Sequence, residues 1–227
     1  MHQSVFVTFM QKKLVVDKDC KGILGSDDFN DKKLSLYWQW NHNPIDEAWS
    51  LSERKGHLRL TTARKVDNLF VAPNTITQRM EGPKCSARVK IDLSGMKDGD
   101  VAGFSAFNDY AGVLAVEMKG GEKSLTMSAQ NAIFERGRNH GIESVEIEEH
   151  GKIQLTNDII YLRIDGDFTN RQEKASFYYS FDNKEWKEFG KSIRMRFDYR
   201  KFFMGTKYAI FNYATKQTGG YIDVDYI

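Results

Sequence analysis

The side chains best suited to recognise a ligand surround two tryptophans in the stretch Leu-Tyr-Trp-Gln-Trp-Asn-His-Asn-Pro. Side chains alternate along a strand, so an extended conformation places Trp38 and Trp40 on one face and Gln39 and Asn41 on the other. The tryptophans are predicted to fill a core, as strand aromatics usually do. With His42 at the strand end, the opposite face becomes a neutral row of donors and acceptors. Such a row suits sugar hydroxyls better than phosphate or a metal.

Two further stretches carry polar side chains that could contact the same kind of ligand. In residues 74–79, alternation puts Thr77 and Arg79 on one face. Arg79 could donate to sugar hydroxyls or pair with a buried acid, and the sequence leaves both alternatives open. Further on, Asn212 precedes Tyr213 and follows a phenylalanine, so its amide is predicted to face away from two inward aromatic rings.

Other site chemistries have weaker support. The five histidines are scattered without metal-ligand spacing, and there is no phosphate-binding loop or nucleophile elbow. A calcium ion could bind where the first and last strands meet, through hard carboxylate oxygens. Asp28 and Asp223 are the predicted ligands, with Asp27 and Asp225 beside them, although acids that flank edge strands are usually solvated. No other cofactor is expected.

Composition limits the classes of partner. The 227 residues hold 33 Lys and Arg against 31 Asp and Glu, a net charge of +2, which gives no reason to expect a nucleic-acid or membrane partner. No apolar run is long enough for a signal peptide or a membrane span, so the chain is expected to be soluble. Aromatic residues make up 13% of the chain, which fits either a thick core or sugar stacking. Cys20 and Cys85 are read as free thiols.

Alternating apolar residues predict an all-β fold. Period-two patterns recur at residues 87–93, 113–118 and 160–164, with turn sequences rich in Gly, Asp and Asn between them. No segment has a convincing helical period. Strands separated by short turns predict a sandwich of two antiparallel sheets. Residues 1–24 are interpreted as an N-terminal strand or linker remnant, and residues 25–227 as the sandwich.

Several of these motifs, in this order, resemble a known domain. They are Asp28-Phe29-Asn30, Gln39-Trp40-Asn41-His42-Asn43-Pro44, Trp49-Ser50-Leu51, Leu58-Arg59-Leu60, Asn74-Thr75-Ile76-Thr77-Gln78-Arg79, Gly95-Met96-Lys97-Asp98-Gly99-Asp100 and Phe211-Asn212-Tyr213-Ala214-Thr215. Together they resemble the C-terminal domain of family 43 glycoside hydrolases, the β-xylosidase and arabinofuranosidase group, over roughly residues 25 to 227. The resemblance implies a concanavalin A-like jelly-roll sandwich that accompanies a catalytic propeller. It also implies a xylan- or arabinoxylan-type glycan as the partner.

The resemblance assigns no catalytic residue to this chain. Glycoside hydrolysis usually needs two carboxylates set across the scissile bond, and the family's pair belongs to the propeller, which is not in this sequence. The acidic residues of the chain are more simply explained as solvent-exposed residues of strand faces and turns. Those considered are Glu146, Glu148, Glu149, Asp165 and Asp167.

Two functions follow as hypotheses. The first is a non-catalytic carbohydrate-binding or accessory module, and the second is a structural domain that packs on the propeller and helps to shape its active site. For the first, the polar stretches must lie on neighbouring strands of one sheet and form one groove. Its predicted lining is Gln39, Asn41, His42, Thr77, Arg79, Asn212 and Tyr213. Whether the intact enzyme is secreted or periplasmic is left open.

Overall fold

The computed structural model describes residues 25–135, 141–169, 172–198, 200–202 and 204–227. The predicted N-terminal strand or linker at 1–24, with Cys20, lies outside the described residues. The described residues form an all-β sandwich of two antiparallel sheets, as the sequence predicts, with strands β1 to β15 numbered in chain order. Two short 3-10 helices, Asp46–Ala48 and Leu69–Val71, interrupt the strands. No described helix is long and apolar enough to cross a membrane.

The first sheet has seven strands, and each strand is antiparallel to its neighbours. In spatial order they are β1 (Gln39–Trp40), β4 (Ile76–Arg79), β14 (Lys207–Ala214), β6 (Asp100–Phe107), β7 (Tyr110–Lys119), β8 (Glu122–Phe134) and β9 (Ile142–Leu155). The strands from β6 to β9 follow one another in the chain, and the turn that joins β7 to β8 contains Gly120 and Gly121, as the sequence predicts. The edge strand β1 reaches its place from a distant part of the chain.

The second sheet packs against the first. In spatial order its strands are β12 (Lys187–Glu188), β11 (Lys174–Ser180), β10 (Ile159–Asp167), β5 (Lys84–Asp92), β15 (Tyr221–Tyr226), β3 (Leu58–Thr61) and β2 (Trp49–Ser50), and β13 (Ile193–Arg194) also pairs with β11. The turn after β11 is built on Asp182, whose carboxylate accepts from the backbone N–H groups of Lys184 and Glu185. Asn183 there has φ 60°, a left-handed conformation that asparagine tolerates.

The main core fills the space between the sheets. Phe104 and Ile210 of the first sheet and Val89 and Leu162 of the second are fully buried there. Trp38 joins this core: its ring stacks on Phe29 and its indole N–H donates to Asp27 at 2.8 Å. Trp40 is only partly buried and packs against the ring of Trp49.

A second apolar cluster covers part of the outer face of the first sheet. Phe70, from the second 3-10 helix, packs on Phe107 of β6 and on Phe202 of the segment before β14. Six aromatic residues therefore lie in or against this second cluster: Phe70, Phe107, Phe134, Phe202, Phe211 and Tyr213. We call residues 66–72, together with Phe202 and Met204, the cover.

Polar contacts at the β6–β7 turn anchor the part of the cover that contains Phe202 and Met204. The side-chain amide of Asn108 donates to the backbone carbonyls of Arg196 at 3.2 Å and Met204 at 3.1 Å. The ammonium of Lys201 lies 3.3 Å from the carboxylate of Asp109, which is 1% exposed. A buried charge is costly unless it is paired, so this ion pair ties residue 201 to the sheet.

Candidate functional site

The three predicted polar stretches lie on neighbouring strands of the first sheet, β1, β4 and β14, as the groove hypothesis requires. Gln39 pairs with Thr77 across β1 and β4, and Arg79 pairs with Lys207 across β4 and β14. The side chains of Gln39, Thr77, Arg79 and Lys207 share the outer face. Thr77 is 1% exposed, and its hydroxyl donates to the backbone carbonyl of Gln39 at 2.9 Å. Thr77 therefore fixes the edge strand, and the exposed side chains around it are those of Gln39 and Arg79.

Asn41 and His42 continue this edge toward the cover. The backbone N–H of Asn41 donates to the carbonyl of Thr75 at 2.9 Å, which extends the β1–β4 pairing. His42 Nε2 lies 2.8 Å from the carbonyl oxygen of Phe70 and 3.2 Å from Asn41 Nδ2. We call Gln39, Asn41, His42, Arg79 and Lys207 the edge patch.

The structure corrects the predicted place of Asn212. Its side chain is 3% exposed and lies between the sheets, where Nδ2 donates to the backbone carbonyl of Leu60 at 2.8 Å. The two neighbouring rings, Phe211 and Tyr213, lie on the outer face of the first sheet instead. The predicted faces of this stretch are thus reversed, because the amide is satisfied by a backbone group of the opposite sheet. Asn212 lines no groove on the outer face.

Tyr213 also lies away from the edge patch. Six residues of β14 separate it from Lys207, which at the rise of an antiparallel strand is roughly 20 Å. Leu69 of the cover belongs to the same apolar cluster as Ala209 and Tyr213 of β14. The predicted single groove is therefore divided into two surfaces, the edge patch and a groove around Tyr213.

The groove around Tyr213 is an open cavity of about 360 Å³ on the outer face of the first sheet. Its polar floor comes from β8, where Thr126, Ser128 and Gln130 point to the same side. The floor is held in place by its own hydrogen bonds: Thr126 Oγ1 donates to a β7 carbonyl at 3.3 Å, and Gln130 Nε2 donates to Ser128 Oγ at 3.2 Å. The groove thus offers neutral hydroxyl and amide groups in fixed positions.

Acidic side chains border this floor. Asp67, Glu117 and Glu149 line the groove, together with Tyr213. Burial raises the pKa of Tyr213, and the negative charges of Glu117 and Asp67 raise it further. The phenol therefore stays protonated near neutral pH and can donate a hydrogen bond. With carboxylates as acceptors and a phenol as donor, the groove can bind a neutral polyhydroxylated ligand.

The β8 floor was not singled out from the sequence. The signal was present, because polar Thr126, Ser128 and Gln130 alternate with apolar residues. Alternation shows that the three share a face, but it does not show which strands flank them. The pairing of β8 between β7 and β9 supplies that missing information.

The two predicted calcium ligands have other partners. Arg59 binds both carboxylate oxygens of Asp223, at 2.7 and 2.8 Å, and Arg54 lies 3.2 Å from the same carboxylate. Asp28 accepts from the backbone N–H of Asn30 at 3.2 Å. In the described ranges, no group of three or more His, Cys, Asp or Glu side chains could hold a metal ion. A calcium ion at Asp223 would have to displace an arginine.

The comparison with protein families matches residues 26–227 to the β-xylosidase C-terminal concanavalin A-like domain. The chain belongs to this family. The match begins next to the first described residue and includes the groove, the cover and the edge patch.

Relatives place the domain in family 43 glycoside hydrolases. A β-xylosidase of Formosa agariphila is 31% identical over 223 residues, which cover 88% of this chain and 34% of that protein. A solved Bacteroides eggerthii protein described as a bifunctional GH43-CE is 43% identical with TM-score 0.81, covering 91% of this chain and 26% of that one. A solved GH43 enzyme described as having endo-xylanase and exo-arabinofuranosidase activity is 30% identical, with TM-score 0.81. The match covers 92% of this chain and 41% of that one. The chain spans less than half of each relative.

Proposed function

We propose that this domain is a non-catalytic accessory module of a family 43 glycoside hydrolase and binds a neutral xylan- or arabinoxylan-type glycan in the groove on the first sheet. The observation that carries the proposal is the floor of Thr126, Ser128 and Gln130 in an open cavity. Hydroxyl and amide groups both donate and accept, as sugar hydroxyls do. The names of the relatives supply the class of glycan.

The edge patch is proposed as a second contact surface for the glycan. Gln39 and Arg79 are exposed there and lie on the same face as the groove. Asn41 and His42 extend the patch, whereas Thr77 supports it from below through its bond to the Gln39 backbone. A glycan bound only in the groove would not reach this patch, which lies roughly 20 Å away.

Affinity electrophoresis of the purified chain tests the proposal. Gels that contain xylan or arabinoxylan should retard the chain, and a cellulose derivative should retard it less. Tyr213→Phe removes one hydroxyl from the groove and leaves the sugar hydroxyl that it would bind unpaired. The affinity for the glycan should therefore fall roughly tenfold. The matched control is Tyr178→Phe, which removes the same group from β11 of the other sheet and should leave retardation unchanged.

A second candidate function is a structural one, in which the domain packs on the catalytic propeller and shapes its active site. Exposed apolar side chains favour it: Ile147 at the groove is 60% exposed and Leu36 near the edge patch is 100% exposed. If no gel retards a folded chain, glycan binding by the domain alone is contradicted and the structural function is favoured.

A further inference from the structure

Two cations face each other at the edge patch. Arg79 of β4 and Lys207 of β14 are directly opposite in the antiparallel pairing and point to the outer face. Like charges in this position destabilise a sheet. Such a pair is expected to be retained only where something else compensates for the repulsion.

Asp27, Asp28 and Asp31 line a pocket with Arg79, but none of them forms an ion pair with it. In the described ranges, neither Arg79 nor Lys207 forms an ion pair with a carboxylate. Burial lowers the pKa of Lys207, and the charge of Arg79 lowers it further. The Lys207 ammonium does donate to Oε1 of Gln39, at 2.8 Å, but this amide is neutral. The patch therefore keeps an excess of positive charge.

We propose that Arg79, Lys207 and Gln39 form a subsite for the carboxylate of a uronic acid side group on a xylan-type chain. The inference rests on the proposed glycan-binding function and adds an acidic substituent to it. The guanidinium of Arg79 can hold a carboxylate through two parallel hydrogen bonds, and the ammonium of Lys207 adds a point charge. The neutral side chains of Gln39 and Asn41 can meet the hydroxyls of the same sugar.

The two surfaces then select different parts of one glycan. The groove is lined by four acids, against the two lysines Lys119 and Lys216, so its net charge is negative. It therefore disfavours a carboxylate and suits the neutral backbone of the polysaccharide. The acids are Asp67, Asp100, Glu117 and Glu149. The edge patch attracts the charged substituent. The net charges of the two surfaces thus favour different parts of the glycan.

The test compares a glucuronic acid-substituted xylan with the same polymer after its carboxyl groups have been reduced to alcohols. Calorimetry at low salt should show the wild-type chain binding the acidic polymer roughly fivefold more tightly. Arg79→Gln and Lys207→Gln should each lose most of this preference, measured as the ratio of the affinities for the two polymers. Lys184→Gln removes one positive charge at the Asp182 turn of the other sheet and should keep the preference.

The possible outcomes separate the subsite from the groove. Equal binding of both polymers by the wild-type chain overturns the uronate subsite and leaves the groove intact. A preference that falls as much in Lys184→Gln as in Lys207→Gln reflects general attraction and also overturns the subsite. Binding of the acidic polymer alone supports the subsite and contradicts the neutral groove. No binding of either polymer contradicts both.

Discussion

Replacing Phe70 with alanine should lower the free energy of unfolding by about 3 to 5 kcal/mol, the range for large buried aromatics cut to alanine. Phe70 is 1% exposed, and its ring packs on Phe107 and Phe202 with centroids 5.7 and 6.3 Å apart. The substitution removes the centre of the second apolar cluster. Urea denaturation of both proteins would measure the difference.

The control for Phe70 lies next to it on the same 3-10 helix. Val71 is 37% exposed, so Val71→Ala should change the unfolding free energy by less than about 0.5 kcal/mol. If both variants shift the denaturation midpoint equally, the cover is not a second core. Loss of stability confined to Phe70→Ala would show that the covered part of the outer face is structural.

Gly103→Ala should also be strongly destabilising, by about 3 kcal/mol, or should prevent soluble expression. A Cβ at this position in β6 would overlap the carbonyl oxygen of Leu114 in β7 and would lie 3.0 Å from its carbonyl carbon. A clash with backbone is not relieved by rotating a side chain, so β6 and β7 would have to move apart. Thermal unfolding followed by circular dichroism measures the cost.

Gly205→Ala is the matched control for this prediction. A Cβ at Gly205 would meet no atom within 4 Å, so the same chemical change should leave the melting temperature nearly unchanged. A Gly103→Ala protein as stable as Gly205→Ala would contradict the close approach of β6 and β7 beneath the outer face.

Much of the sandwich could be predicted from the alternation of apolar and polar residues, because a long strand that is buried on one face repeats this pattern many times. The Ile160, Leu162 and Ile164 series of β10 is such a case, and all three residues are fully buried. The stretch around Trp38 and Trp40 is different. Only Gln39–Trp40 forms a regular strand there, and it pairs on one side alone, with β4.

The candidate site was harder to predict, because it depends on contacts between distant parts of the chain. No feature of the neighbouring sequence indicates that the Asn212 amide donates to the carbonyl of Leu60, 152 positions earlier. This hydrogen bond turns the side chain inward. The pairing of Asp223 with Arg59 is also hard to predict, because the two residues are 164 positions apart. Residues 66–72 carry no repeating pattern, so their role as a cover could not be foreseen.

Titration calorimetry with a neutral xylo-oligosaccharide tests the central claim, glycan binding in the groove, most directly. The wild-type chain should bind with saturable heat, and Ser128→Trp, which fills the groove floor with a large ring, should reduce the affinity at least tenfold. Ser176→Trp makes the same change on β11 of the other sheet and should bind like the wild type. Equal affinity of the Ser128→Trp and Ser176→Trp proteins, both shown to be folded, would contradict binding in the groove.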